Sequence, residues 1–457
     1  MGQVGLVIAS NRGPLSFAFD DRGHPVPAGS GGGLAAALHP LVEHSGATWV
    51  ACAMSEADRA AATRGLMVAG SIPLVTVQPD PDTYRMAYDV VANSTLWNCH
   101  HHLFDLARRP VLDHRFDEAF EGFRRFNALF ATTVAEVAGP GATVLVQDYH
   151  LCLVPGLLAR SRPDVRVVHF THTPFADPSM WRVLPDAVGR ELLAGLAAAD
   201  ACGFHARPWE SGFQACCADG GVGTPHTFVA PLGADAALLG RRVESAGCLA
   251  ARAALDEAVG DRAVVVRTDR IEPSKNLLRG FWAFDELLAH RRDLRGRVVM
   301  LAHIYPSRQS LPEYLAYATE VEHVAEVIND RWGTTTWSPL LLEIADDTDR
   351  ALAALTRYDV LLVNSVRDGL NLVAKEGPLV NTADGVLALS RHAGAYEELR
   401  AEVIGLNPFD VSGTAIAMAD ALDMPAGERK RRAEALRELV LRRPPAAWLE
   451  AQLAVPG

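Results

Sequence analysis

The stretch DVLLVNSVRDGLNLVAKEG, residues 359–377, decides the fold. A continuous apolar run leads into a turn carrying Gly369, and LNLVAKEG after it reads as the start of a helix. Strand, glycine turn and helix in that order form the repeating element of a parallel sheet with helical crossovers. Working outward, comparable runs recur as VGLVIAS (4–10), TVLVQD (143–148), VRVVHFTH (165–172), AVVVRTD (263–269) and GRVVMLAHI (296–304), with alanine- and leucine-rich amphipathic stretches between them. Strands apolar at nearly every position are covered on both faces, so the fold class is α/β. A strand-poor stretch at 236–258, after the turn-like PLGAD, separates two such series and marks a domain boundary. Two doubly wound domains facing each other would leave a cleft at the C-terminal ends of their sheets, where open α/β sheets bind ligands.

The chain's 457 residues suit two to four domains at about 100–200 residues each. A hydrophobic fraction of 49% and a charged fraction of 21% exclude disorder and coiled coil as the main architecture. The formal net charge of −12 argues against nucleic acid or an anionic membrane as partner, so cations that meet an anionic ligand must be local exceptions. Seven cysteines, Cys52, Cys99, Cys152, Cys202, Cys216, Cys217 and Cys248, show no C-x-x-C spacing and fit a reducing cytosol. The start, MGQVGLVIASNRGPL, lacks the basic region and cleavage site of a signal peptide and reads as a first strand. No apolar stretch reaches the ~20 residues that span a bilayer. A cytoplasmic protein is the expectation.

Most candidate site residues follow a strand. Gly29-Ser30-Gly31-Gly32-Gly33 runs into LAAALHPLVEH, and glycines before a helix let backbone amides approach phosphate oxygens. Arg12, in the turn after the first strand, adds a cation. Arg270 and Lys275 in TDRIEPSKN suit a diphosphate whose negative charge grows as it leaves, and Arg308 in HIYPSRQS offers a third cation. In 364–377, Arg367 and Asp368 precede the amides that open a helix, and Lys375 and Glu376 lie inside it. Those amides can hold phosphate while a carboxylate accepts from sugar hydroxyls. Asp148 with His150, and His172 with Pro174, end two strands of the first half and can orient sugar hydroxyls. His100-His101-His102 cannot all face one ion and no spaced partner accompanies them, so no metal site is expected. The basic stretch GERKRRAEALRELVLRRPP reads as a solvated helix. Neither G-x-S-x-G, H-E-x-x-H nor the P-loop pattern occurs.

The ordered set SNRGP, GSGGGL, STLW, QDYH, HTPF, GFH, PLG, DRIEPSKN, PSR, RDGLNLVAKE, LSRHAGA and NPFD resembles the trehalose-6-phosphate synthase family over about residues 6–450. The resemblance implies a GT-B fold. An N-terminal Rossmann-like domain, 1–237, would take the acceptor, and a C-terminal one, 238–434, the nucleotide sugar, with a terminal helix at about 435–457 packing back on the first. It implies a retaining transfer of glucose from a nucleotide donor to glucose 6-phosphate with no metal and no cofactor, the nucleotide sugar being a substrate. Acceptor phosphate would fall to Arg12, Tyr88, Trp97 and Arg308, and acceptor hydroxyls to Asp148. Donor binding would fall to Gly32, Gly33, His172, Arg270, Lys275, Asp368, Gly369, Asn371 and Leu372, with Glu376 on the ribose. Asp148, His172, Arg270, Lys275 and Asp368 are the catalytic set. Attack within an ion pair, with the leaving phosphate as base, needs no protein nucleophile.

Two segments depart from the family pattern. The usual D-Y-S-K-G is Glu272-Pro273-Ser274-Lys275-Asn276, and the usual S-E-F-A-G-A is Ser390-Arg391-His392-Ala393-Gly394-Ala395. The first resembles an actinobacterial branch that includes pseudo-glycosyltransferases, which join a GDP-activated cyclitol to an aminocyclitol phosphate. Those relatives lose the basic residues that Arg367 and Lys375 keep here, so glucosyl transfer is favoured, with GDP-glucose as donor. The alternatives are transfer to a cyclitol or polyol phosphate, and a catalytically silent homologue that binds sugar phosphate. Oligomeric state is open, a homo-oligomer included.

Overall fold

The structure, a computed structural model, describes residues 4–28, 33–43, 45–65 and 68–455. It divides into two compact units, Met1–Pro231 with Pro445–Gly457, and Leu232–Pro444. The first holds β1 (Val4–Ser10), the antiparallel ribbon β2 (Phe17–Phe19) and β3 (Pro25–Pro27), then β4 (Thr48–Cys52), β5 (Val68–Ala69), β6 (Ile72–Val77), β7 (Ala138–Gln147), β8 (Arg166–Thr171), β9 (Ala201–Phe204) and β10 (His226–Val229). Among the described residues its main sheet has the order β10-β9-β8-β7-β1-β4-β6-β5, parallel except where β5 meets β6. The order runs outward from the centre in both directions, so connections reverse between β1 and β7. A crevice opens at such a reversal, outside the C-terminal strand ends. Arg12 follows β1 and Asp148 follows β7.

The second unit repeats the plan. It holds β11 (Ala263–Arg270), β12 (Val298–Tyr305), β13 (Leu340–Ile344), β14 (Val360–Val363), β15 (Val386–Ser390) and β16 (Ile404–Leu406), in the all-parallel order β13-β12-β11-β14-β15-β16. Here the reversal lies between β11 and β14, whose ends lead to Arg270–Lys275 and to Asp368. Val265 pairs with Val360 and Val266 with Leu361, and all four are fully buried, as strands covered on both faces require. Arg267, in the same strand, is buried as well, so its charge needs partners: its Nη2 donates to Asp269 Oδ2 at 2.8 Å and to Lys275 O at 2.9 Å.

The unit boundaries differ from those read in the sequence. The helix Ala236–Val243 packs on the helices Thr348–Arg357 and Val373–Val380 of the second unit, so the crossing comes at 231/232 rather than 237/238. The basic stretch forms Ala426–Leu441, which buries Ala433, Leu436 and Val440 and packs on Val373–Val380 and β15. It therefore stays with the second unit, and the return falls at 445 rather than 435. Of the C-terminal helices, Pro445–Leu453 joins the first unit. Trp448 anchors it, and Arg166, at the start of β8, donates to the carbonyls of Leu453, at 2.9 Å, and of Val455. A cation at a helix C-terminus also meets the negative end of the helix dipole.

Candidate active site

In the first unit, Asp148 sits at φ 71°, ψ 168°, a conformation costly for any residue with a Cβ. Three bonds hold it there. Its N–H donates to Phe170 O at 2.8 Å, its carbonyl accepts from His169 Nε2 at 3.2 Å, and Oδ1 accepts from the His172 N–H at 3.1 Å. His169 is buried, and burial outweighs its bond to Asp148 O and lowers its pKa to about 4, so the ring is neutral. His172 is held well below the usual histidine range, first by burial and then by the neighbouring His205 and His169. Its Nε2 lies 2.9 Å from Gln147 Oε1 and its Nδ1 lies 3.0 Å from His205 Nε2. Both ring nitrogens are thus engaged by protein.

Tyr88 and Trp97 are nine residues apart. In an α-helix, with 3.6 residues per turn, that spacing points to opposite sides. Met86–Leu96 is instead a π-helix, whose wider period brings nine residues to about two turns and so to one side. The aromatic contacts agree. Tyr88 stacks between Tyr84 (5.1 Å between centroids) and His150 (5.7 Å), while Trp97 meets Tyr149 (6.1 Å). Both therefore abut the turn that carries Asp148. Arg12 is exposed, on the loop after β1. Gly32 lies outside the described residues, and Gly33 opens the helix Gly33–Val42.

In the second unit the groups are ionic. Lys275 Nζ donates to Asp368 Oδ2 at 2.6 Å, and Asn371 Nδ2 donates to the same oxygen at 3.1 Å. Glu272 is fully buried; its Oε1 forms an ion pair with Arg270 Nη1 at 3.2 Å and accepts from Arg308 Nη1 at 3.1 Å and Ser307 Oγ at 2.8 Å. Burial alone would raise its pKa, but the charges of Arg270, Arg308 and Lys275 outweigh that and hold it at about 2. One carboxylate thus keeps two guanidiniums side by side against their repulsion. Asn276, at φ 60°, occupies a left-handed position that suits glycine, and its Nδ2 bonds the carbonyls of Asn364 and Pro408. The departure from the family's glycine is accommodated. Asn371 is also left-handed, at φ 73°, and its Oδ1 accepts from the Ala374 N–H at the start of the helix Val373–Val380. In the second departing segment, a Cβ on Gly394 would collide with the carbonyl of Gly369.

A cavity of about 270 Å³ in the second unit is lined by Arg270, Lys275, Asn371, Leu372 and Glu376 among others. Burial raises the Glu376 pKa against the opposing field of Arg242. Arg242 and His303 line the same cavity without any sequence motif to mark them. Glu272 was visible only as a departure from a pattern, and His205 only as the end of GFH. Gln147 stood next to Asp148 with no signal of its own, and Gln452 had none. Among the described residues no cluster of three or more potential metal ligands occurs, and no helix is long and apolar enough to cross a membrane.

Two doubly wound units, each with charged or glycine-bearing turns at its reversal, have the architecture of the GT-B fold class, and comparison with known sequences is specific. Residues 5–455 match glycosyltransferase family 20, and the chain belongs to that family. It is 31% identical over 446 residues to alpha,alpha-trehalose-phosphate synthase [UDP-forming] 1 of Arabidopsis thaliana, covering 93% of this chain and 47% of the relative. It is 30% identical over 461 residues to a trehalose-6-phosphate synthase of Sinorhizobium fredii, covering 97% and 96%. The chain spans about half the length of the curated relatives it matches first. A crystal structure of a UDP-forming alpha,alpha-trehalose-phosphate synthase from Burkholderia xenovorans, in complex with glucose-6-phosphate, superposes with a TM-score of 0.85 at 26% identity, covering 99% of each chain.

Proposed function

We propose that this chain transfers glucose from a nucleotide-glucose to glucose 6-phosphate with retention, forming trehalose 6-phosphate. The observation that carries this reading is the cavity in which Arg270 and Lys275 meet the opening amides of Val373–Val380, because a departing nucleoside diphosphate needs that combination of cations and N–H donors. Lys275 donates one N–H to Asp368 and has two further donors for phosphate oxygens. Asp368 takes the hydroxyls of the transferred sugar, and Glu376 those of the ribose. As the bond from C1 to the diphosphate oxygen breaks, the acceptor oxygen bonds C1 on the same face, and its proton passes to the leaving phosphate. Asp148, held by three hydrogen bonds, orients acceptor hydroxyls, with Arg12, Tyr88 and Trp97 at the phosphate. His172 serves by position, since neither ring nitrogen is available to move a proton. No metal enters this scheme.

GDP-glucose is the donor favoured by the 272–276 segment, whereas the relatives whose names state a nucleotide are UDP-forming. A panel of UDP-, GDP- and ADP-glucose against glucose 6-phosphate and a cyclitol phosphate, read by diphosphate release and product mass, tests both levels. Trehalose 6-phosphate with any donor supports the reaction, and the preferred base decides the finer point. Product only with the cyclitol phosphate would replace the reading.

A further inference from the structure

The C-terminal helix reaches the candidate centre of the first unit through a chain of amides. Gln452 is fully buried, as are Gln147 and the neighbouring Trp448, whose ring packs on His172 at 5.6 Å and on Phe170 at 5.3 Å. Direction in this chain is set at its far end. The backbone carbonyl of Trp448 can only accept, so the Gln452 amide turns its Nε2 toward it, at 3.4 Å, and its Oε1 toward Gln147. Gln147 must then donate Nε2 to Gln452 Oε1, at 3.1 Å, and present Oε1 to His172. His172 Nε2 must carry the proton to meet it, which leaves Nδ1 of the neutral ring as acceptor for His205 Nε2.

We infer that Gln452 is a positioning residue, which sets the tautomer and orientation of His172 through the Gln147 amide. From Trp448 O to His172 Nδ1 each bond has one direction compatible with the next, and a buried network satisfied in one way specifies one arrangement. The functional consequence rests on the reading that His172 faces the transferred sugar. A ring free to take the other tautomer or to tilt would present a different surface there.

The experiment uses the full chain labelled with ¹⁵N-histidine, the His172 signals being assigned by their loss in His172→Asn. Wild type is expected to show His172 protonated on Nε2 alone; protonation on Nδ1 would overturn the relay without any variant at 452. Gln452→Met keeps the volume but removes the amide, and is expected to give mixed tautomers. Gln452→Glu, neutral in this buried place, can donate to Trp448 O and accept from Gln147, and is expected to restore the single tautomer. A folded Gln452→Met with the wild-type tautomer, or a folded Gln452→Glu that fails to restore it, overturns the assignment. In turnover with the wild-type chain's own preferred substrates, Gln452→Met should lose about tenfold in kcat with donor KM nearly unchanged, and Gln452→Glu should recover most of it. Absence of wild-type turnover on the whole panel would count against the proposed reaction, while the tautomer measurement still decides the relay.

Discussion

The two units share one architecture and build opposite kinds of centre at its reversal point. In the first, the strand ends set the single carboxylate of Asp148 among neutral rings and amides, with His169 and His172 kept uncharged by burial. In the second, the corresponding ends carry Arg270, Glu272, Lys275 and Asp368 in direct ion pairs. The topology explains where each centre lies and says nothing about its charge. A lone carboxylate among neutral rings suits hydroxyl groups, which need directional bonds more than compensation of charge. A diphosphate gaining negative charge needs cations already in place, because rearranging them during the reaction would cost what they contribute.

The sharpest way to break this contrast is to remove a cation. Arg270→Ala should lower kcat by about 10²–10³-fold while the chain stays folded, since that side chain is partly exposed. Near-normal turnover by a purified, folded variant would sink the role assigned to the ionic centre.

Acid should separate the two centres next. The unfolded chain takes up protons on histidine below the ordinary value of 6.5, but folded His169 resists until about 4. Stability therefore falls as pH drops through that window, by about 3 kcal/mol for this residue. Glu272 runs in a lower window. Its folded pKa of about 2 lies below the ordinary 4.5, so its contribution is complete above 4.5 and is lost as pH falls toward 2, again by about 3 kcal/mol. Hydrogen exchange followed from pH 7 downward should loosen β8 before β11. Simultaneous loosening of both, or β11 first, would remove the electrostatic distinction.

Glu272→Gln tests the same carboxylate without acid. It should destabilise the second unit by about 3 kcal/mol, because Arg270 and Arg308 lose their shared counter-charge. Denaturant melts with exchange by unit would locate the loss, and a loss confined to the first unit would contradict it. The smallest effect belongs to the aromatic centre. Tyr88→Ala removes a ring stacked between Tyr84 and His150 and should raise acceptor KM by about 1 kcal/mol, or roughly fivefold, leaving donor KM alone. Equal changes in both constants would mean that Tyr88 supports the fold rather than the acceptor.

Much of this was legible along the chain. Val4–Ser10, Ala263–Arg270 and Val360–Val363 declare themselves because a strand covered on both faces must be apolar at nearly every position, whatever its neighbours are. The turns after them declare candidate ligand residues because glycine and paired charges have few other reasons to follow a buried strand. The unit boundaries were read six and ten residues away from their places, since Ala236–Val243 and Ala426–Leu441 are ordinary amphipathic helices whose partner is chosen only by packing.

By itself, then, the sequence determined the α/β class, the strand ends that matter and the family to which the chain belongs. Only the tertiary structure decided which of those residues act together. A π-helix turns Tyr88 and Trp97 to one side, where an α-helix would separate them. Glu272 became the partner of two arginines, one of them 36 positions away, and Gln452 met Gln147 across 305 positions. The physical reason is range. Hydrophobic period and turn chemistry act between residues a few places apart and so leave a local signature, whereas hydrogen bonds and charges act through space between residues that no period connects.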